Sequence, residues 1–160
     1  MPVIHCSNTH GCHGRVGVET QVIHAIEHGA IGIFPLFALC DRNDIGGICY
    51  PLHPQTEKTS IFIYDGHPGG VGLARRGFEI IAELLRKTHD HIQSCACEDG
   101  CPSCIHSPKC GSGNNPLDKR SALAILEYLL GDIPVESFYM ADDDEIKIKL
   151  QEEDRSEQKT

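Results

Sequence analysis

"CACEDGCPSCIHSPKCG", residues 95–111, gathers five of the chain's nine cysteines into seventeen positions. The order is Cys95-x-Cys97, three residues, Cys101-x-x-Cys104, then five residues to Cys110. Tetrahedral Zn2+ takes four soft ligands at about 2.3 Å, and a Cys-x-x-Cys turn presents two of them because its backbone doubles back. Cys101 and Cys104 make such a turn. Cys95, Cys97 and Cys110 compete for the other two places, and spacing alone does not choose among them. Gly100 and Gly111 are expected to supply the left-handed conformations of such tight turns. A thioredoxin-type redox pair would lie between a strand and a helix without surplus thiols, which is not this pattern. Four sulfur ligands leave no coordination position for water, so the metal serves folding rather than catalysis.

The surrounding chain sets the compartment that this reading needs. "MPVIHCSNTHGCHGR" at the N-terminus lacks a basic-then-apolar export signal. The most apolar stretch, "GAIGIFPLFALC" (29–40), is interrupted by Pro35 and is too short to cross a bilayer. The expectation is a soluble, cytoplasmic protein with no membrane partner, where reducing conditions favour metal ligation over disulfides. Length (160 residues) and 40% apolar composition suit one compact domain. The net charge of -9 argues against a basic nucleic-acid binder acting alone.

Outward from the cysteines, the patterning predicts an α+β fold: a small antiparallel hairpin packed with helices, plus the cysteine knuckle. "VETQVIHAIEHGA" has helical periodicity over 19–29, with Gly29 as a stop. "FPLFALCD" starts a second short helix at Pro35. "IGGICYPL" and "TSIFIYD" read as two antiparallel strands joined by "HPQTEK". "LARRGFEIIAELLRKTH" resumes the helical period with Leu73, Phe78, Ile81, Leu84 and Leu85 on one face. "NNPLDKRSALAILEYLLG" is a last helix with Leu123, Leu126, Leu129 and Leu130 inward and Gly131 as its end. Residues 1–17 read as a flexible stub, 18–131 as the folded domain and 132–160 as an acidic, disordered tail.

Other clusters carry weaker signals. His24-x-x-Glu27-His28 fits an inverted zinc-peptidase motif, two histidines one helical turn apart with a glutamate to activate water, and supports the alternative of a small metallopeptidase. Against it stands a helix whose histidines pack at its rim. "DGHPGGVGLARR" is a candidate anion or DNA contact through Gly69, Gly70, Gly72, Arg75 and Arg76. Its plainer role is a sharp strand-to-helix turn with Asp65 satisfying backbone donors. Lys119 and Arg120, in the first turn after Pro116, are read as facing DNA, a partner or solvent, with Asp118 at the dipole end. Cys6, Cys12, His5, His10 and His13 offer ligands for a second metal, and Cys40 and Cys49 read as small buried residues.

"IFIYDGHPGGVGLARRGFE", together with "CACEDGCPSCIHSPKCGSGNNPLDKRSAL" and "FALCDRNDIGGICY", resembles the MrfA-type zinc-binding domain. That domain stands at the C-terminus of superfamily 2 DNA helicases of the DEAD/DEAH-box kind implicated in DNA repair. The resemblance runs from about Val18 to Gly131 and rests on Asp65, Gly69, Gly70, Gly72, the cysteines and Leu117-Asp118-Lys119. It implies Zn2+ as cofactor, a helicase motor as partner, and DNA reached through that complex. The phosphate-cradling Gly-x-x-x-x-Gly-Lys-Ser/Thr loop is absent from the chain, as is a magnesium-holding acidic motif. The expectation is therefore a non-motor accessory module, not an enzyme by itself. A face left bare of its motor should be apolar and prone to association.

Overall fold

The computed structural model of the chain describes residues 3–5, 16–132, 138–140 and 147–150. Ten elements follow in order: β1 (Val3–His5), α1 (Val16–Ile33), a 3-10 turn (Phe34–Leu36), β2 (Ile45–Tyr50), β3 (Ser60–Asp65), α2 (Leu73–Glu79), α3 (Ile81–Ser94), α4 (Lys119–Asp132), β4 (Phe138–Met140) and β5 (Lys147–Leu150). The α+β class stands.

β2 and β3 form the expected antiparallel pair, with Ile45 opposite Asp65, Ile48 opposite Phe62 and Tyr50 opposite Ser60. Two glycines in a strand would ordinarily weaken it. Here the Tyr64 ring lies so close to Gly46 that a Cβ would meet it at 2.5 Å, and a Cβ at Gly47 would meet Ile31 at 2.7 Å. The glycines are spaces filled by neighbours. The hairpin is part of a larger sheet of order β2-β3-β1-β5-β4, in which β1 runs antiparallel to β3 and parallel to β5. The stub and acidic tail read from the sequence fall mostly outside the described residues; β1, β4 and β5 are the strands described there.

α1 is the central helix, touching β2, β3, α3 and α4. Its middle is therefore buried on nearly every side: Val22, Ile23, Ala25, Ile26, Ala30 and Ile33 all belong to the core. The helix runs well past 19–29, and Gly29 does not end it. A Cβ there would meet Ile92 at 2.9 Å and Thr88 at 3.1 Å, so Gly29 lets α3 cross α1 closely. The second short helix is only the 3-10 turn, which carries Phe34 (fully buried) into the core.

The single helix expected from Leu73 onward divides at Ile80, whose backbone (φ -112, ψ 18) is not helical. The division lets α2 bring Gly77 against the Phe34 ring. α3 then aims Ile81, Leu84, Leu85 and Ile92 inward, and α4 aims Ala122, Leu126 and Leu129. Each fully buried large side chain contributes about 1.5–3 kcal/mol of transfer free energy. α4 ends at Asp132, one residue past Gly131.

Candidate metal centre

Residues 95–118, between α3 and α4, contain no helix or strand. Their geometry is set by the thiols. Cys95 Sγ lies 3.6 Å from Cys97 Sγ and 3.5 Å from Cys101 Sγ, Cys97 Sγ lies 3.5 Å from Cys104 Sγ, and Cys101 and Cys104 sulfurs are 3.8 Å apart. All four lie within 4.8 Å of one another. A zinc with four Zn–S bonds of about 2.3 Å requires sulfurs about 3.8 Å apart. The tetrad fits that tetrahedron, and no disulfide competes for it.

The local chain explains the fit. The Cys101 N–H donates to Cys104 Sγ at 3.3 Å, and the N–H groups of Cys104, Ile105 and His106 all donate to the Cys101 carbonyl. Gly100 has φ 114, and a Cβ there would strike Ile105 at 2.6 Å, so only glycine allows the knuckle to close over that fully buried isoleucine. Gly111 has no such role; Gly113 (φ 66) and Asn114 (φ 64) carry the left-handed positions of the following turn. The Ser103 amide, followed by the Cys95 thiol, draws the Cys101 thiol down, whereas burial pushes Cys104 up. A bound cation overrides that difference by deprotonating its thiol ligands outright.

Lys119 is the member that spacing did not place. Read as facing DNA, a partner or solvent, it is instead 6% exposed. Its Nζ donates to the carbonyls of Cys95 (2.7 Å) and Cys97 (2.6 Å) and reaches Cys97 Sγ at 3.4 Å. All three ammonium donors have acceptors, which is what makes a buried lysine tolerable. Its charge opposes the surplus negative charge of four thiolates around a dication. Asp118 caps α4, accepting from Ser121 N–H at 2.9 Å and Ser121 Oγ at 2.7 Å, and so fixes where Lys119 emerges.

Cys110 stands apart from the tetrad. Its sulfur lies 3.4 Å from His24 Nε2 and accepts the Asn114 N–H at 3.2 Å. His28 donates Nδ1–H to the Ile105 carbonyl at 2.8 Å, and burial lowers its pKa. Glu27, which a peptidase would need beside water, faces the β2–β3 hairpin instead. There it hydrogen-bonds the Cys49 thiol, and burial pushes its carboxyl up to about 7. The metallopeptidase alternative is therefore withdrawn. Cys49 is half-buried, its thiol pushed up to about 12 by burial and then by the Glu27 charge. Cys6, Cys12, His5, His10 and His13 include no side chain among the described residues.

The glycine turn resolves toward its plainer role. Asp65 Oδ1 accepts the N–H groups of Val71 and Leu73, both at 2.9 Å, and Oδ2 accepts that of Ala74 at 3.1 Å. The donors that would have met a phosphate are thus taken. Gly69, Gly70 and Gly72 all have positive φ and make the turn possible. Arg75 and Arg76 are exposed on α2, Arg76 paired with Glu79 at 3.3 Å.

Fold and tetrad together define an α+β zinc-binding domain whose four gathered thiols suit the ion and lie in a segment without secondary structure. The chain belongs to the MrfA Zn-binding domain family, whose model matches residues 26–105 and so includes all four tetrad cysteines but not Cys110. It is 48% identical over 111 residues to an uncharacterized protein of Methanocaldococcus jannaschii, covering 68% of this chain and 99% of that protein. It is 36% identical over 92 residues to the uncharacterized ATP-dependent helicase YprA of Bacillus subtilis, covering 56% of this chain and 12% of the helicase. A crystal structure of the DUF1998 helicase MrfA bound to DNA matches with a TM-score of 0.67 at 28% identity, over 79% of this chain and 16% of that one. The chain thus spans almost all of the archaeal relative but only a small part of the helicases.

Proposed function

We propose that this chain is a non-motor accessory module that docks on a superfamily 2 helicase motor and helps shape its DNA path. The observation that carries the reading is the closed tetrad: a metal with four sulfur ligands has no site for substrate, so zinc here shapes a surface. Membership of a family whose members include parts of much longer helicases supports the motor as partner. Leu36 (81% exposed) and Leu39 (fully exposed), neighbours in the segment after α1, supply an apolar patch for that docking. Arg75 and Arg76, exposed on α2 just after the glycine turn, are the positions we assign to a DNA phosphate in the assembled complex. By itself the acidic chain binds DNA weakly, because affinity for phosphates follows the number of cations brought to them.

The test is complementation in trans. The Bacillus subtilis helicase YprA, shortened by the segment that matches this chain, is assayed for DNA-dependent ATP hydrolysis with and without it. The expected result is no ATP hydrolysis by the chain alone and restored hydrolysis by the pair, weakened when Leu36 and Leu39 are both changed to Ser. No association with the shortened motor and no DNA binding by the mixture at low salt would overturn the proposal.

A further inference from the structure

We propose that His24, His28 and Cys110 form a second Zn2+ site, separate from the cysteine tetrad, with three protein ligands and a fourth position open to water. The three ligand atoms lie within 4.8 Å of one another, although Cys110 is 86 residues from His24 in sequence. In a tetrahedral shell with Zn–N of about 2.0–2.1 Å and Zn–S of about 2.3 Å, nitrogen and sulfur stand about 3.6 Å apart. The His24 Nε2 to Cys110 Sγ distance is 3.4 Å.

The second argument is orientation. Both imidazoles are held through Nδ1, His24 by the Pro116 carbonyl at 3.2 Å and His28 by the Ile105 carbonyl at 2.8 Å. Donation of Nδ1–H to a carbonyl fixes the tautomer and leaves the Nε2 lone pair free to ligate, the usual support of a metal-bound histidine. The rings stand one helical turn apart with centroids 4.3 Å from each other. On the sulfur side, the Asn114 N–H (3.2 Å) and Ser112 Oγ (3.1 Å) surround Cys110 Sγ with hydrogen-bond partners suited to a thiolate. Cys110 Sγ groups with the two imidazoles and not with the four tetrad sulfurs, so the site is separate from the cysteine cluster. Its consequence is a clamp: zinc would tie the central helix α1 directly to the loop before α4.

Cobalt titration of the metal-free full chain tests this, because Co2+ reports thiolate ligation by its charge-transfer band. The expected result is two equivalents, the second with about a quarter of the sulfur band intensity of the first, one thiolate against four. His24→Ala and Cys110→Ser should each end the titration at one equivalent while keeping the strong band of the tetrad. A wild-type endpoint of one equivalent would overturn the proposal, as would a second equivalent that persists in either variant. Should a variant fold poorly by circular dichroism, the wild-type band decides alone: a second equivalent with no sulfur band overturns the assignment.

Discussion

Two neighbouring regions of this domain are made rigid by different means. α1, α3 and the β2–β3 hairpin bury Val22, Ile26, Ile61, Ile63, Leu84 and Leu85, and their backbone groups are paired within helices and strands. Residues 95–118 have no regular element and place only Cys104 and Ile105 in the core. What the second region lacks in apolar area it recovers from four sulfurs, from turns closed on the Cys101 carbonyl, and from Lys119 bridging two of its carbonyls. A helix–hairpin layer can fold by burial alone; a short loop segment needs a metal to offset the entropy of ordering it.

Removing the metal tests that contrast most severely. Structural zinc supplies on the order of 10 kcal/mol of folding free energy. Chelation, or Cys104→Ser, should abolish hydrogen-exchange protection across 95–118 and in the first turn of α4. The amides of α1 and β3 should stay protected, at reduced stability. Simultaneous loss of protection everywhere would show that the two regions are one cooperative unit.

The converse change acts on the first region. Leu85→Ala, at a side chain 1% exposed, should cost about 2–5 kcal/mol by chemical denaturation while leaving the zinc content of the tetrad intact. Lys119→Met lies at the seam. It leaves two carbonyls without their donor and should cost about 2 kcal/mol, with zinc affinity falling roughly tenfold or more in competition with a chelator.

The smallest expected effect is at Asp65. Burial raises its pKa, but the backbone N–H groups of Val71, Ala74, Leu73 and Gly72 together outweigh this and hold the carboxyl below its ordinary range. A carboxylate depressed in the folded state contributes stability that is present above its unfolded pKa, near 4, and lost as pH falls below that value. Asp65→Asn should cost about 1 kcal/mol at neutral pH, and this difference from wild type should shrink on acidification.

The difference between the regions also explains what could be read from the sequence. The knuckle was legible because a Cys-x-x-Cys turn with three more thiols close by is the spacing of zinc ligands. Which four of the five thiols gather was not legible, since the choice depends on the turn after Ile105 that carries Cys110 away to His24. Lys119 looked like a surface cation because nothing local signals that α4 starts against the cluster. Gly29 was misjudged as a helix end for a related reason: propensity penalises glycine in a helix, but the crossing of α3 over α1 rewards its missing side chain. The hairpin was legible from its β-branched residues; its sheet partner β1, and β5 beyond it, lie far away in sequence and carry no local mark.

The most direct measurement is X-ray absorption at the zinc edge of the Cys110→Ser variant, which removes the fifth thiol of the 95–111 cluster and leaves the tetrad intact. The account predicts one zinc per chain with four sulfur neighbours at about 2.3 Å and no nitrogen or oxygen. A shell containing nitrogen or oxygen, or a variant that retains no zinc, would contradict it.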